Sequence, residues 1–292
     1  MGVVSLNLPM ILMKSRQEKT DFYDTLNYYL EMIRGMHKRR FEYVGKARAD
    51  SNPLMFTQGG ALGGYLKPHE KIAPLLKSAT ISFGITALNE LQSLFNGKSL
   101  KDDNNFAVEV MEYINNYIDK IKKEDEILYA IYGTPAESLC GTQLRQFRDE
   151  YGVIEGVSDR EYFSNSFHLH VSEEITPLEK QDKELKLFRL FSGGRIQYGR
   201  IGNPNNKKAV KNFINRGLQL GFYQGVNFND CTCEDCGNYF FHNDDIAVCT
   251  ECGSMNVTEV VRLNGYMGWK QKCGYTTVNS AKLAEIEDRK SM

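Results

Sequence analysis

The sequence predicts a parallel α/β fold, compatible with a barrel, that carries a small four-cysteine metal ribbon near its C-terminal end. Short apolar runs alternate with stretches of helical periodicity along most of the chain, the pattern of strands joined by crossover helices. Two Cys-x-x-Cys pairs, Cys233/Cys236 and Cys249/Cys252, fall in a polar stretch with little apolar periodicity. The length of 292 residues suffices for one large domain, or for one domain with a small appendage. Hydrophobic residues at 41% and charged residues at 25% are ordinary for a globular chain. A formal net charge of -1 gives no general attraction to nucleic acid or an anionic membrane. No apolar run approaches the roughly 20 residues of a membrane helix. The apolar first residues lack a basic leader and a small-residue cleavage site, so they read as strand and not as signal peptide. Seven cysteines, most of them crowded toward the C-terminus, point to metal binding in the reducing cytoplasm and away from a secreted disulfide framework.

In chain order, Val3-Val4-Ser5-Leu6-Asn7-Leu8 reads as a buried strand ended by Pro9. Residues 21–44 set Phe22, Leu26, Tyr29, Leu30 and Ile33 at helical spacing. Gly59-Gly60-Ala61-Leu62-Gly63-Gly64 is a tight connection; no Gly-Lys-Ser/Thr follows to make it a P-loop. Residues 79–83 read as strand, 87–95 and 106–121 as helices, and 127–132 as strand, after which Gly133-Thr134-Pro135 leads into a helix from about Ala136. Residues 164–171 read as a further strand, as does the run Leu187-Phe188-Arg189-Leu190-Phe191 with Gly193-Gly194 and Ile196-Gln197-Tyr198. A helix over 207–220, a strand from Val257, a glycine-bearing loop and a short charged helix from Ala281 complete the chain.

Zinc favours tetrahedral sulfur ligation, and two Cys-x-x-Cys turns supply four thiolates: Cys233, Cys236, Cys249 and Cys252. A redox dithiol or an iron–sulfur cluster is the alternative use of the same residues. Gly237 and Gly253 follow each pair, where a positive φ would turn amides toward sulfur. Cys231 and His242 lie close enough in sequence to compete as ligands. A site closed by four protein ligands is structural and holds no reactive water. Elsewhere, Thr134-Pro135-Ala136-Glu137-Ser138 lies at a strand-to-helix junction, where free amides and hydroxyls suit a phosphate. An ordinary helix cap with proline in the first turn fits the local pattern equally well. His168 and His170 alternate on one strand face and read as hydrogen-bonded side chains more readily than as a metal pair. Cys140 reads as a packed helix cysteine.

Arg262-Leu263-Asn264-Gly265-Tyr266 follows the ribbon closely, and Arg-x-x-Gly-Tyr near a C-terminus resembles the radical loop of glycyl radical enzymes. With the double Cys-x-x-Cys before it, the chain resembles the anaerobic (class III) ribonucleoside-triphosphate reductases. Gly2-Val3-Val4-Ser5-Leu6-Asn7-Leu8-Pro9 resembles a barrel-strand motif of that family, and Tyr132-Gly133-Thr134-Pro135-Ala136-Glu137-Ser138-Leu139 resembles its phosphate-loop motif. Residues 159–168, Gly193-Gly194 and the helix 282–289 resemble later segments, so the likeness runs from the first residues to the last. The resemblance implies the C-terminal portion of a ten-stranded α/β barrel. Residues 1–226 would form the barrel part, 227–258 the zinc subdomain, and 259–292 the radical loop and closing helix. Gly265 would hold the radical, since a backbone radical needs a planar Cα that a Cβ would crowd. Thr134, Pro135, Ala136, Glu137 and Ser138 would bind the ribonucleoside triphosphate.

The resemblance further implies an activase that uses S-adenosylmethionine and an iron–sulfur cluster, formate as reductant (thiols in some members), and a dimer. The glycyl radical would generate a thiyl radical, which abstracts the ribose 3′ hydrogen before the 2′ hydroxyl leaves as water. The thiyl cysteine of the family belongs upstream of the segment matching residues 3–8, and none of Cys140, Cys231 or Cys273 takes its position. The expectation is therefore a subunit of a split enzyme, or a fragment, that needs an N-terminal half. The competing reading is a non-catalytic zinc-ribbon protein that binds a protein or nucleic acid, supported by Lys270, Lys272 and Lys282 near the ribbon. Balanced charge and the lack of a basic stripe speak against it.

Overall fold

The computed structural model describes residues 1–290 apart from 137, 202–203, 243–246, 264, 273–274 and 277. The first parallel unit comprises β1 (Val3–Asn7), α1 (Leu8–Glu18), α2 (Phe22–Gly45), α3 (Pro53–Phe56), α4 (Ala73–Leu76), β2 (Thr80–Thr86), α5 (Leu88–Asn96), α6 (Asn105–Asp125) and β3 (Leu128–Gly133). Then come α7 (Leu139–Tyr151), α8 (Pro177–Arg189), β4 (Gln197–Arg200), α9 (Lys207–Gln219) and β5 (Gln224–Asn227). The C-terminal part holds β6 (Asn229–Cys233), β7 (Tyr239–His242), β8 (Val257–Arg262), β9 (Met267–Lys272), β10 (Tyr275–Thr276) and α10 (Ser280–Glu287).

Among the described residues the strands form three sheets: parallel β1-β2-β3, parallel β4-β5, and antiparallel β10-β9-β8-β6-β7. The α/β class read from the sequence is thus present, with its parallel strands divided between two small sheets. Central β2 contributes Ile81, Phe83 and Ile85, all fully buried, which is why it lacks the polar alternation of a solvated strand. Gly84 on the same strand leaves room above it: a Cβ there would lie 2.3 Å from Ser5 Oγ and 2.4 Å from Thr134 Oγ1. Those two hydroxyls meet at 2.9 Å across the glycine, which fixes Thr134 at the end of β3. Helix α2 begins where Asp21 accepts from the amides of Tyr23 and Asp24, and it buries Leu26, Leu30 and Ile33. Its second half is tied to the end of α6 by Arg34, which donates to Asp125 from Nε at 2.7 Å and from Nη2 at 2.8 Å.

Three expectations are corrected. Pro9 does not terminate an isolated strand; Leu8 and Pro9 open α1, with Asn7 accepting from the Met10 amide, because proline is tolerated in a first turn. Residues 164–171 form no strand. Their backbone is engaged elsewhere: the Ala87 amide donates to Ser164 O, and the Ser164 and Leu169 amides donate to the buried carboxylates Glu90 and Glu184. His168 and His170 therefore share no strand face. Leu187 and Phe188 are the last turn of α8, which a Thr176–Glu179 capping box starts. A short apolar run has the same signature in a strand as in a buried helix end. The glycine pair after it lies against the free edge of β3, with the Gly193 amide on Ile131 O at 2.7 Å and the Gly133 amide on Gly194 O at 2.9 Å.

Candidate active site

The four cysteines come together as the spacing predicts. The loops Cys233–Asn238 and Cys249–Ser254 repeat one pattern: the first cysteine amide donates to the carbonyl five residues on, and the glycine amide donates back to that cysteine's carbonyl. Gly237 and Gly253 both have φ +73°, the left-handed conformation that the turn demands. Asp235 joins the loops by accepting from Ser254 Oγ at 2.5 Å and Asn256 Nδ2 at 2.7 Å. The four ligand atoms lie within 4.8 Å of one another, with Cys233–Cys252 at 3.6 Å and Cys236–Cys249 at 3.5 Å. A tetrahedral ion with metal–sulfur bonds of about 2.3 Å requires sulfur separations of about 3.8 Å, whereas a disulfide needs about 2.0 Å. The residues thus fit a single tetrahedral ion. The amides of Cys252 and Glu251 pull the Cys249 thiol down, while the neighbouring sulfurs push Cys236 and Cys252 up. Cys231 stands outside this group; it is buried in the sheet beside Phe240 and Val257. The alternative ligand His242 has its side chain outside the described residues, as does all of Cys273.

Strand β8 leaves this cluster and carries the chain to the tip of a hairpin. At its start Val257 pairs with Cys233, and at its end Arg262 pairs with Met267 of β9. Six extended residues span about 17 Å. The Leu263 amide donates to Tyr266 O at 3.0 Å and closes the tip around Gly265, while Asn264 lies outside the described residues. One antiparallel sheet therefore runs through the ribbon and the loop. A Cβ placed on Gly265 would meet no heavy atom within 4 Å, and its φ lies outside the left-handed region. Neither packing nor backbone geometry here calls for glycine.

Gly265 helps to line a cavity of 510 Å³, within the range of small-molecule sites. Thr134 and Pro135 line the same cavity, with Gly133, Ser164, Asn165, His168, Tyr198, Arg195, Arg262 and Arg289. His168 is held from behind: its Nδ1 lies 3.3 Å from Glu184 Oε1. Glu184 is fully buried and also accepts from the Leu169 amide at 3.1 Å and Gln197 Nε2 at 3.2 Å, with Lys180 Nζ at 3.4 Å. Burial alone would raise the Glu184 carboxyl, but Lys180 and His168 draw it below its ordinary value, so an anion is kept behind the histidine. Arg262 donates from Nε to Asn227 Oδ1 at 2.7 Å and lies over the Tyr198 ring.

The chain matches the model of the anaerobic ribonucleoside-triphosphate reductase family over residues 1–292. It belongs to that family. Relatives of the same description are 32% identical in Haemophilus influenzae and 30% identical in Escherichia coli, each alignment covering 99% of this chain and 42% of the relative. A phage T4 relative is 28% identical over 99% of this chain and 48% of its own length. The chain thus spans less than half the length of these curated relatives. Among solved structures, an anaerobic ribonucleotide reductase superposes with a TM-score of 0.75 at 20% identity, covering 99% of this chain and 44% of that one. The Thermotoga maritima enzyme with dATP in its specificity site gives 0.70 at 21% identity, covering 91% and 43%. These two likenesses concern the fold.

Within this reductase fold the expected site residues divide. Gly265, Thr134 and Pro135 meet at one cavity, although far apart in sequence. Ala136 is buried just behind it and Ser138 is the exposed N-cap of α7; neither is part of the lining, and Glu137 lies outside the described residues. The reductase-family motif 159–168 supplies part of the lining through Ser164 to His168. Sequence reasoning missed Glu184, Tyr198 and Arg289 as neighbours of the site. Only the i, i+4 pairs Lys180/Glu184 and Glu285/Arg289 could have marked two of them. Cys140 is the packed thiol expected, with weak contacts of 3.6 Å to Ser164 O and Asn165 Oδ1, and burial pushes its pKa up.

Proposed function

We propose that this chain is the radical-storing C-terminal portion of an anaerobic ribonucleoside-triphosphate reductase, with Gly265 as the glycyl radical site. The supporting observation is that Gly265 at a hairpin tip and Thr134-Pro135 at a strand end line one cavity of ligand size. The phosphate of a ribonucleoside triphosphate would lie at Thr134 and Pro135, the part of the Thr134–Ser138 motif that lines the cavity, and the ribose toward Gly265. Residues 1–226 would form part of a ten-stranded barrel, completed by an N-terminal half that supplies the thiyl cysteine. Residues 227–258 would hold structural zinc, which fixes the base of β8, and 259–292 would carry the radical loop and closing helix. In this reading a hydrogen atom leaves the Gly265 Cα to an activase that uses S-adenosylmethionine and an iron–sulfur cluster. The radical then passes to the thiyl cysteine of the N-terminal half, and formate supplies the reducing equivalents. What this chain contributes is placement: it holds Gly265 at the cavity and His168 against a buried carboxylate. The reducing cytoplasm fits four reduced thiols at a metal site, and a dimer is what the family resemblance implies.

The competing nucleic-acid reading loses two of its three lysines, while Lys272 stays exposed over the Trp269 ring. Lys270 is buried and lies 3.4 Å from Glu259, and Lys282 is buried against Glu285. Among the described residues no helix is long and apolar enough to cross a membrane. The test is anaerobic activation with activase, S-adenosylmethionine and the N-terminal half. A glycyl doublet in electron paramagnetic resonance, and cleavage at Gly265 on exposure to oxygen, are expected. The same doublet from Gly265→Ala would refute the assignment.

A further inference from the structure

The residues just before Gly265 are held by a buried cluster of charge on the last helix and the residues directly after it. Arg289 donates from Nη1 to Arg262 O at 2.8 Å and from Nη2 to Leu263 O at 3.3 Å. Those carbonyls belong to the third and second residues before Gly265. The same guanidinium donates from Nε to Glu285 Oε1 at 3.0 Å, and Lys282 Nζ contacts the other oxygen of that carboxylate. Lys282, Glu285 and Arg289 are 2%, 4% and 8% exposed, respectively. Charge buried this deeply is retained only where it is fully paired. The Glu285 carboxylate neutralises and orients the guanidinium; the planar fork then holds two successive carbonyls in a fixed geometry that a freely rotating ammonium does not impose.

Helix α10 is itself tied down on its other sides. Tyr162 Oη donates to Asp288 Oδ2 at 2.8 Å, the Lys290 amide donates to Val171 O at 2.8 Å, and Arg200 Nη1 donates to Arg289 O at 2.7 Å. Val261 and Leu263 of the hairpin pack with Ile286 of the helix. Glu285 and Arg289 also line the cavity that Gly265 faces.

We infer that Arg289, oriented by Glu285, is a positioning residue that latches the 262–263 backbone and so sets where Gly265 stands in the cavity. This rests on the proposed role of Gly265, but the latch itself is read independently of radical chemistry. The experiment compares amide hydrogen exchange in the full-length chain as wild type, Arg289→Gln, Arg289→Lys and Tyr162→Phe. Arg289→Gln is expected to speed exchange over 261–268 at least tenfold. Arg289→Lys, which keeps the charge but loses the fork, should fall between it and wild type. Tyr162→Phe, which loosens the far side of α10, should change the same amides less than twofold, and strand 80–86 should be unchanged in all. Wild-type exchange at 261–268 in Arg289→Gln would overturn the latch. So would equal acceleration in Tyr162→Phe, since that would mean general loosening of the helix. In parallel, the glycyl doublet after activation should drop at least fivefold in Arg289→Gln and recover partly in Arg289→Lys. Failure of the radical reading shows as no doublet in wild type; failure of the latch shows in the variants' exchange.

Discussion

Among the described residues a methyl group added at Gly265 meets nothing within 4 Å and needs no forbidden backbone angle, so Gly265→Ala separates chemistry from folding. Its unfolding free energy should equal that of wild type or exceed it by up to about 1 kcal/mol, because alanine restricts the unfolded chain. The radical signal should vanish all the same; denaturant titration and spectroscopy on one sample check both. His37 carries a second prediction at this scale. Its Nε2 donates to Ser82 O at 3.0 Å, its ring packs edge-on against Phe83, and Nδ1 is buried without a partner. Burial pushes its pKa down to about 4 from 6.5. A group depressed in the folded state contributes stability that is complete above pH 6.5 and lost as the pH falls toward 4, where the unfolded chain binds the extra proton. Acidification across that window should cost about 3 kcal/mol through this residue, and His37→Leu should flatten that part of a stability–pH curve.

At the scale of elements, β8 is the connecting piece: one end is paired to Cys233, the other to the strand after the hairpin tip. Removing the metal should therefore loosen the tip as well as the ribbon. Chelation, or Cys236→Ser, is expected to expose residues 229–272 to protease while strands β1 to β3 stay protected, with one zinc per chain lost by metal analysis. Much of this was legible beforehand. The ribbon was readable because ligand spacing is a local property, and α2 and α6 because their long apolar stripes have one period. The irregular segment 164–171 was not. Its amides are taken by Glu90 and Glu184, carboxylates distant in sequence, and no local pattern records that. For the same reason Gly265 and the Thr134 motif could be named separately, but their meeting at one cavity could not be read from either. The end of α8 was misread because Leu187 and Phe188 carry burial and no periodicity, although Thr176-x-x-Glu179 marked the helix start.

At the scale of the whole molecule, the parallel strands among the described residues form sheets of three and two, and β1 pairs there on one side with β2. The chain also spans less than half of its curated relatives. Co-expression with a polypeptide corresponding to the remaining N-terminal length of such a relative should raise the soluble yield and produce a co-purifying complex; unchanged solubility and separate elution would count against a shared barrel. If Gly265 holds the radical as proposed, the anchoring of α10 bears on what oxygen would do to the chain. Scission at Gly265 would cut the hairpin at its tip, yet both sides remain fastened: β9 to β8 along the ladder, and α10 through Tyr162, Arg200 and Val171. An oxygen-damaged molecule would keep its outline and its mass in native buffer and separate into two polypeptides only in denaturant. The injury would be silent to any assay of shape.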